Sequence, residues 1–173
     1  SASGCSPATG MRRFGPDPQG FFEAVYEDVA PWDIGGVQPA MAALLADYPP
    51  VAPILDVGCG TGDVAIHLAG LGYEVVGIDI VEAAIAKAEG KRAALPAEVR
   101  ARLTFRVADG LRPSALGMPF GSVVDSGFLH LLDPDESDGF IGELRSVLRP
   151  GGRYYLHAFA VEFAAVNMPR AIT

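Results

Sequence analysis

The sequence is poor in cysteine and in long apolar runs, and each shortage excludes a class of protein. Cys5 lies in a segment rich in Ser, Gly and Pro, and Cys59 lies between two glycines, so a disulfide between them is not expected. This usage favours a reducing compartment, and we expect a cytoplasmic protein. No stretch approaches the roughly 18 apolar residues of a membrane-spanning helix, so no membrane partner is expected.

Basic residues are also scarce. The 173-residue chain has 13 Lys and Arg against 21 Asp and Glu, which gives a formal net charge of -8. An acidic surface repels phosphate backbones, so the charge disfavours nucleic acid as a partner. It favours a small-molecule substrate.

The composition is that of one globular domain with one core, because 50% of the residues are hydrophobic. Residues 1–19 contain Ser, Gly, Pro and Thr without periodicity, and we expect a flexible arm there. Residues 20–173 then form a single domain, with a ligand-binding core at about residues 50–159.

Short apolar runs alternate with helical patterns along most of the chain. This alternation predicts right-handed βαβ units and a doubly wound, mostly parallel α/β sheet, with a ligand beyond the carboxyl ends of the strands. The predicted strands are 53–57, 74–79, 103–107, 122–125 and 153–159. The predicted helices are 21–29, one beginning at Pro39, 63–71, 82–94 and one beginning near Pro134.

Three glycines, Gly58, Gly60 and Gly62, follow the first predicted strand directly and open a helix. Such a turn lets a ligand approach the backbone, although an ordinary tight turn would have the same glycines. A dinucleotide fingerprint needs a third glycine where Asp63 stands, and a carboxylate there would repel a pyrophosphate. The spacing therefore disfavours a nicotinamide cofactor and permits a ligand without phosphates.

The run Ile-Leu-Asp-Val-Gly-Cys-Gly-Thr-Gly at residues 54–62 resembles the first motif of the Rossmann-like (class I) S-adenosylmethionine-dependent methyltransferases. Four later segments are similar to that family in the same order. They are Asp79-Ile80, Ala108-Asp109-Gly110, Asp125-Ser126-Gly127 and Leu148-Arg149-Pro150-Gly151-Gly152. The resemblance implies the fold of this family, S-adenosyl-L-methionine as cofactor and methyl transfer as the activity.

The resemblance also implies roles for individual residues. The acidic residue after the second strand, here Asp79, would hold both ribose hydroxyls, and a carboxylate accepts two hydroxyl protons. Ile80 would pack on the adenine and Asp109 would accept from its exocyclic amine. The implied cofactor-binding residues in the matched segments are Asp56, Gly58, Gly60, Gly62, Asp79, Ile80, Ala108, Asp109, Asp125 and Ser126.

Four of these aspartates also have a structural interpretation. Asp56 would hold the glycine loop through backbone N–H groups, and Asp79 would cap a helix. Asp109 would form a turn before Gly110, and Asp125 would stabilise the end of the fourth strand. The sequence leaves these alternatives open.

Residues 30–39 and 124–130 resemble bacterial relatives of the thiopurine and halide/thiol methyltransferases. The resemblance implies that Trp32 folds over the cofactor and helps to wall the acceptor site. It favours a small acceptor, such as a thiol, a halide or another soft nucleophile, which needs no general base. The candidate acceptor walls are Phe22, Tyr26, Trp32, Phe128 and His130, of which His130 and Tyr26 are candidate catalytic groups. No metal site is expected, and His157 is expected in the core.

Relatives of this kind continue after the fifth strand with a helix and an antiparallel strand pair, whereas this sequence ends soon after Phe159. We therefore expect a sheet that lacks the pair and self-association through the exposed edge of strand five. A cofactor-binding module without catalytic activity, or an NAD-binding Rossmann oxidoreductase, are the alternative functions.

Overall fold

The computed structural model describes residues 14–27 and 33–158, and a five-stranded sheet forms its centre. All the strand pairs of this sheet are parallel, and the order across the sheet is β3-β2-β1-β4-β5. The strands are β1 (Ile54–Val57), β2 (Val75–Asp79), β3 (Leu103–Val107), β4 (Phe120–Ser126) and β5 (Leu148–His157). The predicted doubly wound α/β fold is confirmed.

Helices connect the strands and cover both faces of the sheet. They are α1 (Pro18–Glu27), α2 (Pro39–Asp47), α3 (Asp63–Gly70), α4 (Glu82–Ala93), α5 (Ala97–Arg100) and α6 (Pro134–Val147). The predicted start of α6 is confirmed, since Asp133 accepts from the backbone of Glu136 and the two residues form a capping box. The sequence did not predict α5 or the two short 3-10 helices, Pro113–Leu116 and Leu129–Leu131.

The strand order places a ligand site between β1 and β4. From β1 the chain moves outward to β2 and β3, and then returns to lay β4 on the other side of β1. The register pairs Val57 with both Ile78 and Asp125, so the carboxyl ends of β1, β2 and β4 meet at one edge of the sheet. In open parallel sheets, ligands bind where the order reverses in this way.

Apolar side chains of the central strands divide between the two faces of the sheet. Leu55 and Val57 belong to a cluster that includes Phe140 of α6. Ile54 and Val124 belong to a second cluster, formed with residues of α2 and α3. Every residue of β1 and β2 is buried, as expected for parallel strands that are covered on both faces.

The chain is packed against the domain earlier than the sequence predicts. Phe14, placed in the flexible arm, is buried, and its ring lies 5.3 Å from that of Phe21 and 4.9 Å from that of Phe22. Helix α1 begins at Pro18, also inside the predicted arm. Residues 1–13 lie outside the described residues.

Strand β5 begins at Leu148, five positions earlier than predicted, and pairs with β4. Within the described residues β5 is the last strand at its side of the sheet, so self-association through this edge stays a prediction. No helix in the described ranges is long and apolar enough to cross a membrane.

Candidate functional site

A cleft lies at the carboxyl ends of β1, β2 and β4 and holds about 1070 Å³ of space, part of it open to solvent. We call it the switch-point cleft. Its walls come from α1, from the segment before α2 and from the loops that follow four of the strands. They include Tyr26, Asp33, Gly60, Asp79, Gly110 and Phe128.

The glycine loop after β1 forms the floor of the switch-point cleft. Gly58 and Gly60 have φ angles of 64° and 54°, in the left-handed region that disfavours side chains. A Cβ on Gly58 would lie 2.9 Å from the ring of Phe128, and one on Gly60 would lie 2.8 Å from the hydroxyl of Tyr26. Both positions therefore need glycine.

Gly62 serves packing instead of the cleft. It is not among the lining residues, and a Cβ there would lie 2.5 Å from the ring of Phe105 in the core. Its predicted cofactor contact is therefore not supported. Its φ of 89° lets the chain turn into α3 while keeping that helix close to the sheet.

Asp79 joins the end of β2 to the glycine loop. Its Oδ2 accepts a hydrogen bond of 2.9 Å from the backbone N–H of Gly60, and its Oδ1 accepts one of 2.9 Å from that of Val81. Burial raises the pKa of this carboxyl, although the two N–H groups act in the opposite direction. Each carboxylate oxygen keeps a second lone pair, so Asp79 can still receive two further donors, such as a vicinal diol.

Asp56 presents an unsatisfied carboxylate oxygen. The residue lines the cleft, is 2% exposed, and its Oδ2 has no hydrogen-bond partner in the described structure. Burial and the negative charge of Asp125 raise the pKa of Asp56 well above its usual value. A buried acceptor without a donor is costly, so this site favours a ligand that supplies a donor or a positive charge.

The loop after β3 reaches the cleft through its glycine. Gly110 lines the cleft, and a Cβ there would lie 2.7 Å from the ring of Phe128. Asp109 forms a turn, since its Oδ1 accepts from the backbone N–H of Leu111 at 2.9 Å. Neither Asp109 nor Ala108 lines the cleft, so the structure supports the turn interpretation and not the predicted adenine contact.

Asp125 is fully buried and does not line the cleft, so its predicted contact with the methionine end is not supported. Its carboxylate accepts from the backbone N–H groups of Phe128 (2.6 Å) and Leu129 (3.0 Å) and from the Tyr154 hydroxyl (2.6 Å). Burial raises the pKa of Asp125 to about 6 despite these donors. The residue therefore holds the turn after β4.

Ser126, by contrast, lines the cleft beside Gly127, and its contact with the cofactor stays a prediction. Its hydroxyl lies 3.4 Å from Nδ1 of His157, which pairs with it across β4 and β5. His157 is half-buried at the end of β5, not in the core, because the strand ends two residues earlier than the sequence predicts.

Of the two candidate catalytic groups, Tyr26 lines the cleft and His130 does not. Tyr26 is buried and lines the cleft, next to Gly60. His130 is fully buried in a 3-10 helix and does not line the cleft, so its predicted place at the acceptor is not supported. The candidate acceptor walls Phe22 and Phe128 line the cleft, and so does Ile80, which the resemblance places against the adenine. Trp32 lies outside the described residues.

Several polar lining residues were missed by the sequence reasoning, namely Asp33, Gln38, Thr61 and Asp63. Asp33 follows Trp32 directly in the segment 30–39, which resembles a family of methyltransferases. Its position in this segment was the sequence signal that could have identified it as a cleft residue. Among the described lining residues are four aspartates and no Lys, Arg or His. The described ranges also contain no group of three or more residues arranged to hold a metal ion.

Comparison with known proteins agrees with this geometry. The methyltransferase-domain family matches residues 54–152, which run from the start of β1 into β5. The fold is that of a Rossmann-like (class I) methyltransferase. The chain belongs to this methyltransferase family, and the resemblance noted in its sequence is confirmed.

Individual relatives share part of their length with this chain. The 2-heptyl-1-hydroxyquinolin-4(1H)-one methyltransferase of Mycobacteroides abscessus is 30% identical over 82% of this chain and 64% of its own length. A solved structure from the conversion of a disulfide bond into a thioacetal group during echinomycin biosynthesis is 38% identical, with a TM-score of 0.69 over 78% of this chain and 58% of its own. The glycopeptide N-methyltransferase MtfA, solved with S-adenosyl-L-methionine, is 30% identical, with a TM-score of 0.61 over 66% and 51%. The chain thus spans less than two thirds of each of these relatives.

Proposed function

We propose that this chain binds S-adenosyl-L-methionine in the switch-point cleft and transfers its methyl group to a small-molecule acceptor. The observation that carries the proposal is the position of Asp79. Its carboxylate lies at the end of β2, is tied to Gly60 of the glycine loop, and retains acceptor capacity for a ribose diol. The family match supports the same ligand.

The described residues of the cleft fit this cofactor. Gly58 and Gly60 line the cleft without a side chain, so their backbone forms part of its surface. The orphaned oxygen of Asp56 and the three other lining aspartates suit a ligand with a sulfonium and an ammonium group. Asp63 is the first residue of α3 and lines the cleft, which disfavours the pyrophosphate of an NAD-type cofactor.

When bound, the cofactor supplies an electrophilic methyl group. The residues of the chain then act by binding and alignment, which provide much of the rate in a transfer between two held reactants. Asp79 and the glycine loop fix one end of the ligand. The side chains of Phe22, Tyr26 and Phe128 supply an aromatic wall to the cleft.

The acceptor that suits this wall is a small, soft nucleophile, such as a thiol. No His or Lys is present among the described lining residues, so an acceptor that needs no deprotonation by such a base fits best. The relative from echinomycin biosynthesis, whose chemistry begins at a disulfide, supports a sulfur acceptor. The net charge of -8 supports a small molecule over nucleic acid, and a cytoplasmic location stays a prediction.

An acceptor screen tests this function. The chain is incubated with S-adenosylmethionine and thiols, halides, selenite, phenols or hydroxyquinolones, and formation of S-adenosylhomocysteine is followed. We expect turnover with at least one thiol or other soft acceptor. Binding of the cofactor with no turnover across the screen would establish the inactive binding module instead, and stabilisation by NAD but not by S-adenosylmethionine in a thermal-shift assay would establish the oxidoreductase.

A further inference from the structure

A hydrogen-bonded chain of side chains links α4 to the wall of the switch-point cleft. The Nζ of Lys91 donates to Oγ1 of Thr61 at 2.8 Å and to Oδ1 of Asp63 at 3.0 Å. The Thr61 hydroxyl donates in turn to Oδ2 of Asp33 at 2.8 Å. We call these four residues the Asp33 network. Asp33, Thr61 and Asp63 line the cleft, and Lys91 does not.

The Asp33 network fixes a negative charge in the cleft wall. Partial burial raises the pKa of Asp33, but the hydrogen bonds from Gly35 and Thr61 and the charge of Lys91 outweigh this, and the pKa is lowered. The carboxylate is therefore ionised at neutral pH. The backbone N–H of Gly35, 3.0 Å from Oδ1, holds its second oxygen and sets its orientation.

The same helix places a second part of the wall. Lys87 lies one turn before Lys91 on α4, and its Nζ donates to the backbone carbonyl of Tyr26 near the end of α1. The side chain of Tyr26 lies against Gly60. Two lysines at i and i+4 thus hold Tyr26 and Asp33, which are separate elements of the cleft.

The ion pair of the Asp33 network contributes little to fold stability. The side chains of Lys91 and Asp63 are 38% and 20% exposed, and such partly exposed ion pairs contribute little to stability. The residues that the network orders are instead cleft residues, drawn from segments 28 and 30 positions apart in the sequence. The geometry thus serves the site.

We propose that Lys91 is a positioning residue that, through Thr61, holds an ionised Asp33 in the cleft wall, so that the site prefers the cationic cofactor S-adenosylmethionine to the product S-adenosylhomocysteine. This inference rests on the proposed function. The two ligands differ by the methyl group and the positive charge of the sulfonium, so a fixed carboxylate discriminates between them and favours release of the product.

Calorimetric titration of both ligands tests this inference. In Asp33→Asn, and in Thr61→Val, which removes only the hydroxyl, we expect about tenfold weaker binding of S-adenosylmethionine and a smaller loss for S-adenosylhomocysteine. Lys91→Met should show the same change in the affinity ratio, and Thr61→Ser, which retains the hydroxyl, should restore it.

Glu89→Gln is the matched control. It removes the ion pair between Glu89 and Arg92, which both lie on α4 and do not line the cleft. Its affinities and its thermal melt should equal those of the wild type, and the melts of the network variants identify any that fail to fold. An unchanged affinity ratio in folded Thr61→Val and Asp33→Asn overturns the inference while the proposed function stands. Failure of the wild type to bind S-adenosylmethionine overturns the proposed function itself.

Discussion

The carboxylate of Asp79 and the backbone N–H of Gly60 are joined by a hydrogen bond of 2.9 Å, although the two residues are 19 positions apart. This bond ties the end of β2 to the loop that follows β1. It places the acidic group and the bare backbone of the loop on one side of the same cleft. A ligand that needs both an acceptor pair and close approach to a backbone therefore finds them together.

The contact between Gly60 and Tyr26 predicts the effect of adding a methyl group. In Gly60→Ala, the left-handed φ costs about 1–2 kcal/mol and the new Cβ meets the Tyr26 hydroxyl, so both stability and cofactor affinity should fall. Tyr26→Phe removes that hydroxyl, so the double variant should recover part of the loss. A double-mutant cycle from urea melts and calorimetry measures this coupling. Strict additivity would show that the two groups do not meet.

The buried pair of Asp125 and Tyr154 predicts a pH dependence of stability. Burial raises the folded-state pKa of Asp125 to about 6, above its unfolded value. The ionised carboxylate therefore destabilises the fold, and this cost is absent in acid and develops as the pH rises through about 4 to 6. The Tyr154 hydroxyl stabilises the ionised form, so Tyr154→Phe should raise this pKa further. The loss of unfolding free energy in Tyr154→Phe should be small near pH 4, grow as the pH rises above 6, and reach roughly 1.5–3 kcal/mol towards pH 8.

Urea melts from pH 4 to 8 measure this difference, and Tyr48→Phe is the control because Tyr48 is 59% exposed. We expect no pH-dependent change in the control. A loss in Tyr154→Phe that is equal at both ends of the range, or larger in acid, would show that the hydroxyl does not act on the Asp125 carboxylate.

The position of His130 predicts a structural and not a catalytic effect of its replacement. The side chain is fully buried outside the cleft, so His130→Gln should cost about 1–3 kcal/mol of stability and leave cofactor affinity unchanged. Denaturant melts and calorimetry on the same preparation measure both quantities. A large fall in turnover at wild-type stability and affinity would show that His130 has a catalytic role.

The sequence predicted the parallel sheet and the glycine loop, because both follow from local patterns of apolar residues and glycine. It did not distinguish Asp79 from Asp125, since each ends a strand before a turn. Their roles differ because Asp125 is fully buried and accepts from Tyr154, 29 positions away, whereas Asp79 lines the cleft. The same limit applies to Asp33, whose partner Thr61 is brought to it only by tertiary structure.

Calorimetric titration with S-adenosylmethionine of the wild type, Asp79→Ala and Asp109→Ala tests the central claim most directly. Both aspartates lie near the carboxyl end of a strand of the same sheet, Asp79 at the end of β2 and Asp109 just after β3. Only Asp79 lines the cleft, so Asp109→Ala is a matched control. We predict wild-type affinity for Asp109→Ala and a loss of roughly 1.5–3 kcal/mol of binding free energy for Asp79→Ala. Equal affinities for the wild type and Asp79→Ala would contradict the assignment of the cofactor to this cleft.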